Sequence, residues 1–223
     1  MSLVRKTYVF GVSDYAYLVG RFLETSDDHD FSGYIVDDEY FSDSKFQGST
    51  VQTLSNYLGS PHFLESQVFI AMGYRSMRNR KIVYDRLDKL GCQMCTFVSP
   101  DSHVHDTVKL GRNVILMPGV VIEPGVSIGN NVTVWSNVTV CHDSKIGSHT
   151  FIAANTTLGG NVSVGSLCFL GFSSTVVQGI TLADETLLGA MGLLLNDTQK
   201  SSVYLGLPAR CISSHAKNGI CIS

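Results

Sequence analysis

From Val98 to Gln199 the chain divides into 17 consecutive six-residue blocks, and each block opens on an aliphatic residue. The series runs Val98, Val104, Leu110, Leu116, Ile122, Ile128, Val134, Val140 and Ile146, then Ile152, Leu158, Val164, Leu170, Val176, Leu182, Leu188 and Leu194. Glycine often follows the opener, as in Leu110-Gly111, Ile128-Gly129, Ile146-Gly147, Val164-Gly165 and Leu188-Gly189. A helix repeats near 3.6 residues and a strand at 2, so neither explains a strict six. The hexad pattern predicts a parallel β-helix, with one short strand and one turn per block and three blocks per triangular coil. Openers such as Ile152 and Leu158 point inward and stack on their equivalents. Non-openers such as Thr156 are expected to contribute little to the core.

Residues 1–97 read differently. Apolar, β-rich runs at Thr7–Phe10, Phe31–Val36, Val68–Met72 and Cys92–Val98 predict four strands. Asp14 is expected to cap a helix over about 15–25, and Arg75 to Leu90 predicts a second helix stopped at Gly91. Strand–helix alternation predicts a small parallel α/β sheet of Rossmann-like type. Such sheets hold ligands at the carboxyl ends of their strands, here Gly11–Tyr15, Asp37-Asp38 and Gly73. After Gln199 the period fails, and the tail 200–223 is expected to cap the open end of the prism. The expected domains are therefore 1–97, 98–199 and 200–223.

Composition narrows the function. Among 223 residues 16% are charged, and the net charge is only −3. No basic stripe invites nucleic acid, and no Lys/Arg-rich amphipathic segment invites a membrane surface. The start, MSLVRKTYVF, lacks a signal-peptide pattern, and no apolar run reaches about 18 residues. The six cysteines read as free thiols of a reducing compartment, so a cytoplasmic protein is expected. Cys92-x-x-Cys95 lies in a strand-like run with no second pair at metal spacing.

Seven histidines are present, and His142 stands out because Asp143 adjoins it. It lies two positions after the opener Val140, which predicts a place on the outer wall. A neighbouring carboxylate can orient an imidazole and raise its basicity. Asp143 has a second reading as a turn-former. A zinc hydratase built on such a prism needs three histidines, two of them five apart, and this repeat holds no such pair, so no metal is expected.

His142-Asp-Ser-Lys-Ile-Gly, Leu158-Gly-Gly-Asn-Val, Cys168-Phe-Leu-Gly, Thr181-Leu-Ala-Asp-Glu-Thr-Leu-Leu-Gly189 and Tyr204-Leu-Gly-Leu-Pro-Ala together resemble left-handed β-helix acyltransferases. The closest subgroup is the nucleotide-amino-sugar N-acetyltransferases of the bacillosamine and perosamine type. The sialic-acid O-acetyltransferases share the layout. The resemblance extends from Tyr8 to Pro208 and is strongest in the repeat. It implies acetyl-CoA as co-substrate, a nucleotide-linked sugar as acceptor, and a homotrimer with acyl-CoA grooves between prisms. It implies His142 as general base, Asp143 as its partner and the Gly160 N–H as the donor to the thioester carbonyl. It implies that Phe151, Gly160, Phe172 and Ala190 line the acetyl-CoA groove. It implies that Ser13, Asp14, Tyr15, Asp37, Asp38 and Gly73 hold the nucleotide sugar. The Gly11-Val-Ser-Asp-Tyr-Ala16 loop departs from the family's glycine- and histidine-containing version. Asp14 sets a negative charge where a phosphate is held, which counts against a UDP-type acceptor. The resemblance does not separate N- from O-acetylation, and a catalytically silent scaffold on the same prism stands as the non-enzyme alternative.

Overall fold

The computed structural model describes residues 4–222. The chain divides into two compact units. One comprises Met1–Gly73 and Val83–Cys95, the other Tyr74–Ile82 and Thr96–Ser223.

In the first unit, strands β1 (Arg5–Phe10), β2 (His29–Val36), β3 (Lys45–Phe46), β4 (Ser49–Thr53) and β5 (Gln67–Ile70) form one sheet in the order β3-β4-β2-β1-β5. β1 runs parallel to β2 and β5, and β2 runs parallel to β4. Only β3 is antiparallel, in a hairpin with β4. Helix α1 (Asp14–Glu24) buries Ala16, Val19, Gly20 and Leu23, the three- and four-residue spacing of one helix face. Gly33 sits at φ 121° beside a register shift in β1, and a Cβ there would meet the Thr50 carbonyl oxygen at 2.5 Å. Only glycine serves at that point.

Two local expectations are corrected. The cap of α1 is Ser13, whose Oγ accepts the Ala16 N–H at 3.2 Å, and Asp14 is the first helical residue. A hydroxyl at the extended residue reaches the helix N–H groups, whereas Asp14 is already helical. The run Cys92–Val98 is not one strand. Met94 makes a single bridge to Val68, and Phe97–Val98 begins the prism instead. The β3–β4 hairpin and the short helix α2 (Leu54–Leu58) carry too little apolar periodicity to be seen beforehand. The second long helix, α3, covers Met77–Lys89.

The second unit is a parallel β-helix. It contains 17 two-residue strands, from Phe97–Val98 to Leu193–Leu194, each ending on a hexad opener. Residues eighteen apart pair in register, as in Val140↔Leu158 and Ile152↔Leu170, which sets three blocks per coil. The strands form three walls. The first wall starts at Phe97–Val98, the second at His103–Val104 and the third at Lys109–Leu110. Openers from Leu116 to Leu194 are buried, Ile152 and Leu158 completely. Val98 in the first coil is 40% exposed because it stacks on Leu116 with no coil before it.

A second inward column runs two residues before the openers: Val114, Val120, Val126, Val132, Val138, then Ser144, Thr150, Thr156, Val162 and Cys168. Thr156 therefore corrects its expectation. It is fully buried, and its hydroxyl donates to the Gly171 carbonyl at 3.0 Å. Ser144 and Thr150 do the same toward Gly159 and Gly165. These hydroxyls satisfy carbonyls that the turns leave inside the prism.

The tail closes the second unit. Strand Ser202–Gly206 adds to the first wall in parallel, and Ala209–Ser214 folds back on it. Tyr204 and Ala209 join the apolar core of the prism. Arg78 then clamps the ends together. Its guanidinium donates to both oxygens of the buried Glu185, at 2.5 and 2.9 Å, and to the carbonyls of Ala216 and Lys217. Ser201 donates a further bond to Glu185 at 2.7 Å. These bonds hold the Glu185 carboxyl below the usual carboxylate range, the Arg78 hydrogen bonds first among the causes.

Candidate active site

Each turn of the prism places one residue in the left-handed region. From Asn113 to Met191 the third residue after every opener has φ between 54° and 77°. Asn, Gly and Asp fill most of these places because they tolerate that conformation. Asp143, at φ 58°, is one of them. His142 just before it therefore stands on an edge of the prism, between the second and third walls, rather than on a flat wall.

At this edge three groups converge. His142 Nδ1 lies 3.0 Å from Asp143 Oδ2, and both side chains are solvent-accessible. Gly160 lies one coil further along, eighteen residues on. A Cβ built there would sit 2.5 Å from His142 Nε2 and 2.7 Å from Cε1. The imidazole therefore lies over the bare Gly160 backbone. Among the described residues no acceptor takes the Gly160 N–H. The carbonyl of Gly160 accepts from Gly179, and the His142 carbonyl accepts from Asn161, so the coil is fixed on both sides. The edge brings together a solvent-accessible imidazole, a carboxylate at hydrogen-bond distance from its Nδ1, and a buried backbone N–H that no described residue accepts.

Glu123 completes this edge and was not foreseen. Its Oε2 accepts the His142 main-chain N–H at 2.8 Å. Burial, and after it the Glu123 carboxylate, push the Cys141 thiol above its ordinary range. A thiol kept protonated is a poor nucleophile, which argues against acyl transfer through Cys141.

The remaining predicted positions fall in other places. Phe172 and Ala190 stand on the edge between the first and second walls, eighteen residues apart, with Phe172 50% exposed. Within one chain they flank the opposite side of the second wall from His142. Phe151 is buried on the first wall, stacked on Phe169 at 5.6 Å and packed against Trp135 and Tyr74. Its ring is not presented to a groove in this chain.

In the first unit, Ser13, Asp14, Tyr15, Asp37, Asp38 and Gly73 all follow the carboxyl ends of the parallel strands β1, β2 and β5. The topology gathers them at one sheet end. Ser13 is occupied as a cap. Asp37 pairs with Arg86 at 2.8 Å, and Arg86 lies over the Phe10 ring at 5.7 Å. Asp38 accepts the Ser55 N–H at 3.2 Å, and this hydrogen bonding lowers its carboxyl pKa. A Cβ on Gly73 would meet nothing, so a ligand can approach its backbone closely. Arg86 adds a cation to this end that the sequence reading did not single out. Among the described residues no group of three His, Cys, Asp or Glu side chains is arranged to hold a metal ion. No helix of the described residues is long and apolar enough to cross a membrane.

Residues 107–142 match the family described as bacterial transferase hexapeptide (six repeats). The acetyltransferase domain of PglB from Neisseria gonorrhoeae FA1090 is similar over 93% of this chain and 100% of its own, with TM-score 0.83 and 20% identity. PerB from Caulobacter crescentus, solved with CoA and GDP-perosamine, is similar over 93% of this chain and 97% of its own, with TM-score 0.82 and 26% identity. WeeI from Acinetobacter baumannii AYE covers 93% of this chain and 99% of its own, with TM-score 0.81 and 18% identity. The α/β unit followed by a left-handed β-helix is the fold of these proteins.

Proposed function

We propose that this protein is an acyltransferase that moves an acetyl group from acetyl-CoA directly to the amino group of a nucleotide-linked amino sugar. The observation that carries the reading is the His142 imidazole, oriented by Asp143 at 3.0 Å and lying over the bare backbone of Gly160. PglB's acetyltransferase domain has been solved with acetyl coenzyme A and PerB with CoA and GDP-perosamine, which supports both the donor and the class of acceptor.

The chemistry follows from the edge. The acceptor amine attacks the thioester carbonyl while His142 Nε2 takes its proton. Asp143 steadies the resulting imidazolium through Nδ1. The oxyanion is met by the Gly160 N–H, a fixed donor that costs no reorganisation. The C–S bond then breaks, the amide remains on the sugar, and the departing thiolate recovers the proton from His142. Base catalysis of this kind contributes about 10²–10⁴-fold. No acyl-enzyme is required once amine and thioester are held together.

We assign nucleotide recognition to the strand ends of the first unit, with Asp37, Asp38 and the Gly73 backbone as contacts and Ser13, Asp14 and Tyr15 beside them. Phe172 and Ala190 serve the acetyl-CoA groove from a neighbouring copy in a homotrimer, because in their own chain they flank the far edge of the wall. Phe151 contributes to that groove through its backbone alone, its ring being buried. All six thiols are free, in keeping with a reducing cytoplasm.

The test is thiol release from acetyl-CoA against a panel of UDP-, GDP- and dTDP-linked amino sugars and their hydroxyl counterparts. Turnover with one amino sugar, and none with its hydroxyl counterpart, is expected. No release with any acceptor, together with no binding of acetyl-CoA, contradicts the reading.

A further inference from the structure

The three edges of the prism treat the same backbone N–H differently. On the edge between the third and first walls, three of the residues that stand two after an opener give their N–H to the side chain eighteen residues on. Arg112 donates to Asn130 Oδ1 at 2.9 Å, Asn130 to Ser148 Oγ at 3.0 Å and Ser166 to Asp184 Oδ1 at 2.8 Å. His142 holds the equivalent place on its edge, but the residue eighteen on is Gly160, which has no side chain to accept. A side chain there would occupy the space of the imidazole. The His142 N–H is instead taken from the opposite direction, by Glu123 Oε2 at 2.8 Å, from the preceding coil.

We infer that Glu123 is a positioning residue for His142: it holds the peptide from one side, so that the ring can lie over the bare backbone of Gly160 on the other. The inference rests on His142 being the base. Three contacts then fix the imidazole. Glu123 holds its main chain, Asp143 its Nδ1, and Gly160 leaves room for Nε2. On the second wall the position after an opener is partly or fully exposed, as at His105, Glu123 and Cys141, so a neutral residue would fill it equally well for the fold. The charged and titratable groups at this edge are Glu123, Cys141, His142 and Asp143, with His105 and Asp106 on the coil before.

The test compares Glu123→Gln and Glu123→Ala in the full-length protein. Two readouts are used: steady-state kinetics, and the rate of carbethoxylation of His142 by diethyl pyrocarbonate at one pH, followed by peptide mass. Carbethoxylation needs no turnover and reports how the imidazole is held. Gln keeps an oxygen to accept the N–H and should keep most of kcat and the wild-type labelling rate. Ala should lower kcat about tenfold, leave KM for acetyl-CoA within about twofold, leave the melting temperature near wild type, and change the labelling rate about twofold or more. Equal loss in both variants, or wild-type behaviour in both, overturns the inference. If the wild type transfers no acetyl group to any acceptor, the proposed function fails, and the labelling rates alone decide the role of Glu123.

Discussion

A methyl group at Gly160 would lie 2.5 Å from His142 Nε2, closer than any stable contact allows. Gly160→Ala is therefore expected to push the imidazole aside and lower kcat by about 10² while the coil still folds, as circular dichroism and melting would show. His142→Ala should lower kcat by about 10² or more with the melting temperature unchanged, because the side chain is exposed and carries no core packing. Asp143→Asn should cost less. Asn tolerates the left-handed backbone at φ 58° and can still orient Nδ1, so the turn survives and only the charge is lost. Rates of these three variants at saturating substrate check the ranking. At this scale His142 and Asp143 stood out in the sequence as an imidazole beside a carboxylate two places after an opener, whereas Gly160 came only from the family resemblance. The sequence did not reveal Glu123, whose hydrogen bond to a main-chain N–H nineteen residues on leaves no local sequence signal. Nor did it place the α1 cap, where Ser13 and Asp14 are both good capping residues and one residue of register decided between them.

Among the elements, the prism was legible almost strand by strand, since one inward aliphatic per block leaves a period that nothing else produces. What that single column hid was its companion two residues earlier, where aliphatics give way to Ser144, Thr150 and Thr156. The hydroxyls read as surface chemistry, yet they are the acceptors and donors that close the inner turns. Ile152→Ala and Leu158→Ala should each cost about 2–5 kcal/mol in chemical denaturation. Thr156→Val, which keeps the volume, should still cost about 1–3 kcal/mol, because the Gly171 carbonyl and Ser174 lose a buried partner. The clamp at Glu185 makes a pH prediction. Its carboxyl titrates below the ordinary range when folded, so its contribution is complete above the unfolded value and is lost as pH falls through the folded one. Melting temperature measured from neutral pH down through the carboxylate range should fall more steeply in wild type than in Glu185→Gln. Parallel curves would remove the clamp from the stability of the tail.

In the whole molecule, the two units were legible as a change of texture near residue 97. The segment Tyr74–Ile82 was not. It belongs to the second unit and packs Met77 against Phe151, Phe169 and Ile220. Such contacts join distant parts of the chain and leave no local pattern. Phe172 and Met191 are exposed on the edge between the first and second walls, and Leu205 and Leu207 in the tail; the proposed trimer would cover Phe172. Phe172→Glu should lower the apparent mass in light scattering from that of a trimer and lower acetyl transfer in parallel. Full activity in a stable monomer would refute the shared site.

The most direct measurement is a crystal structure of the protein with acetyl-CoA bound. Expected is a thioester carbonyl oxygen about 2.7–3.1 Å from the Gly160 nitrogen, with its carbonyl carbon facing the His142 edge. A thioester held elsewhere, with the His142–Gly160 edge open to solvent, would contradict the assignment of this edge as the acyl-transfer site.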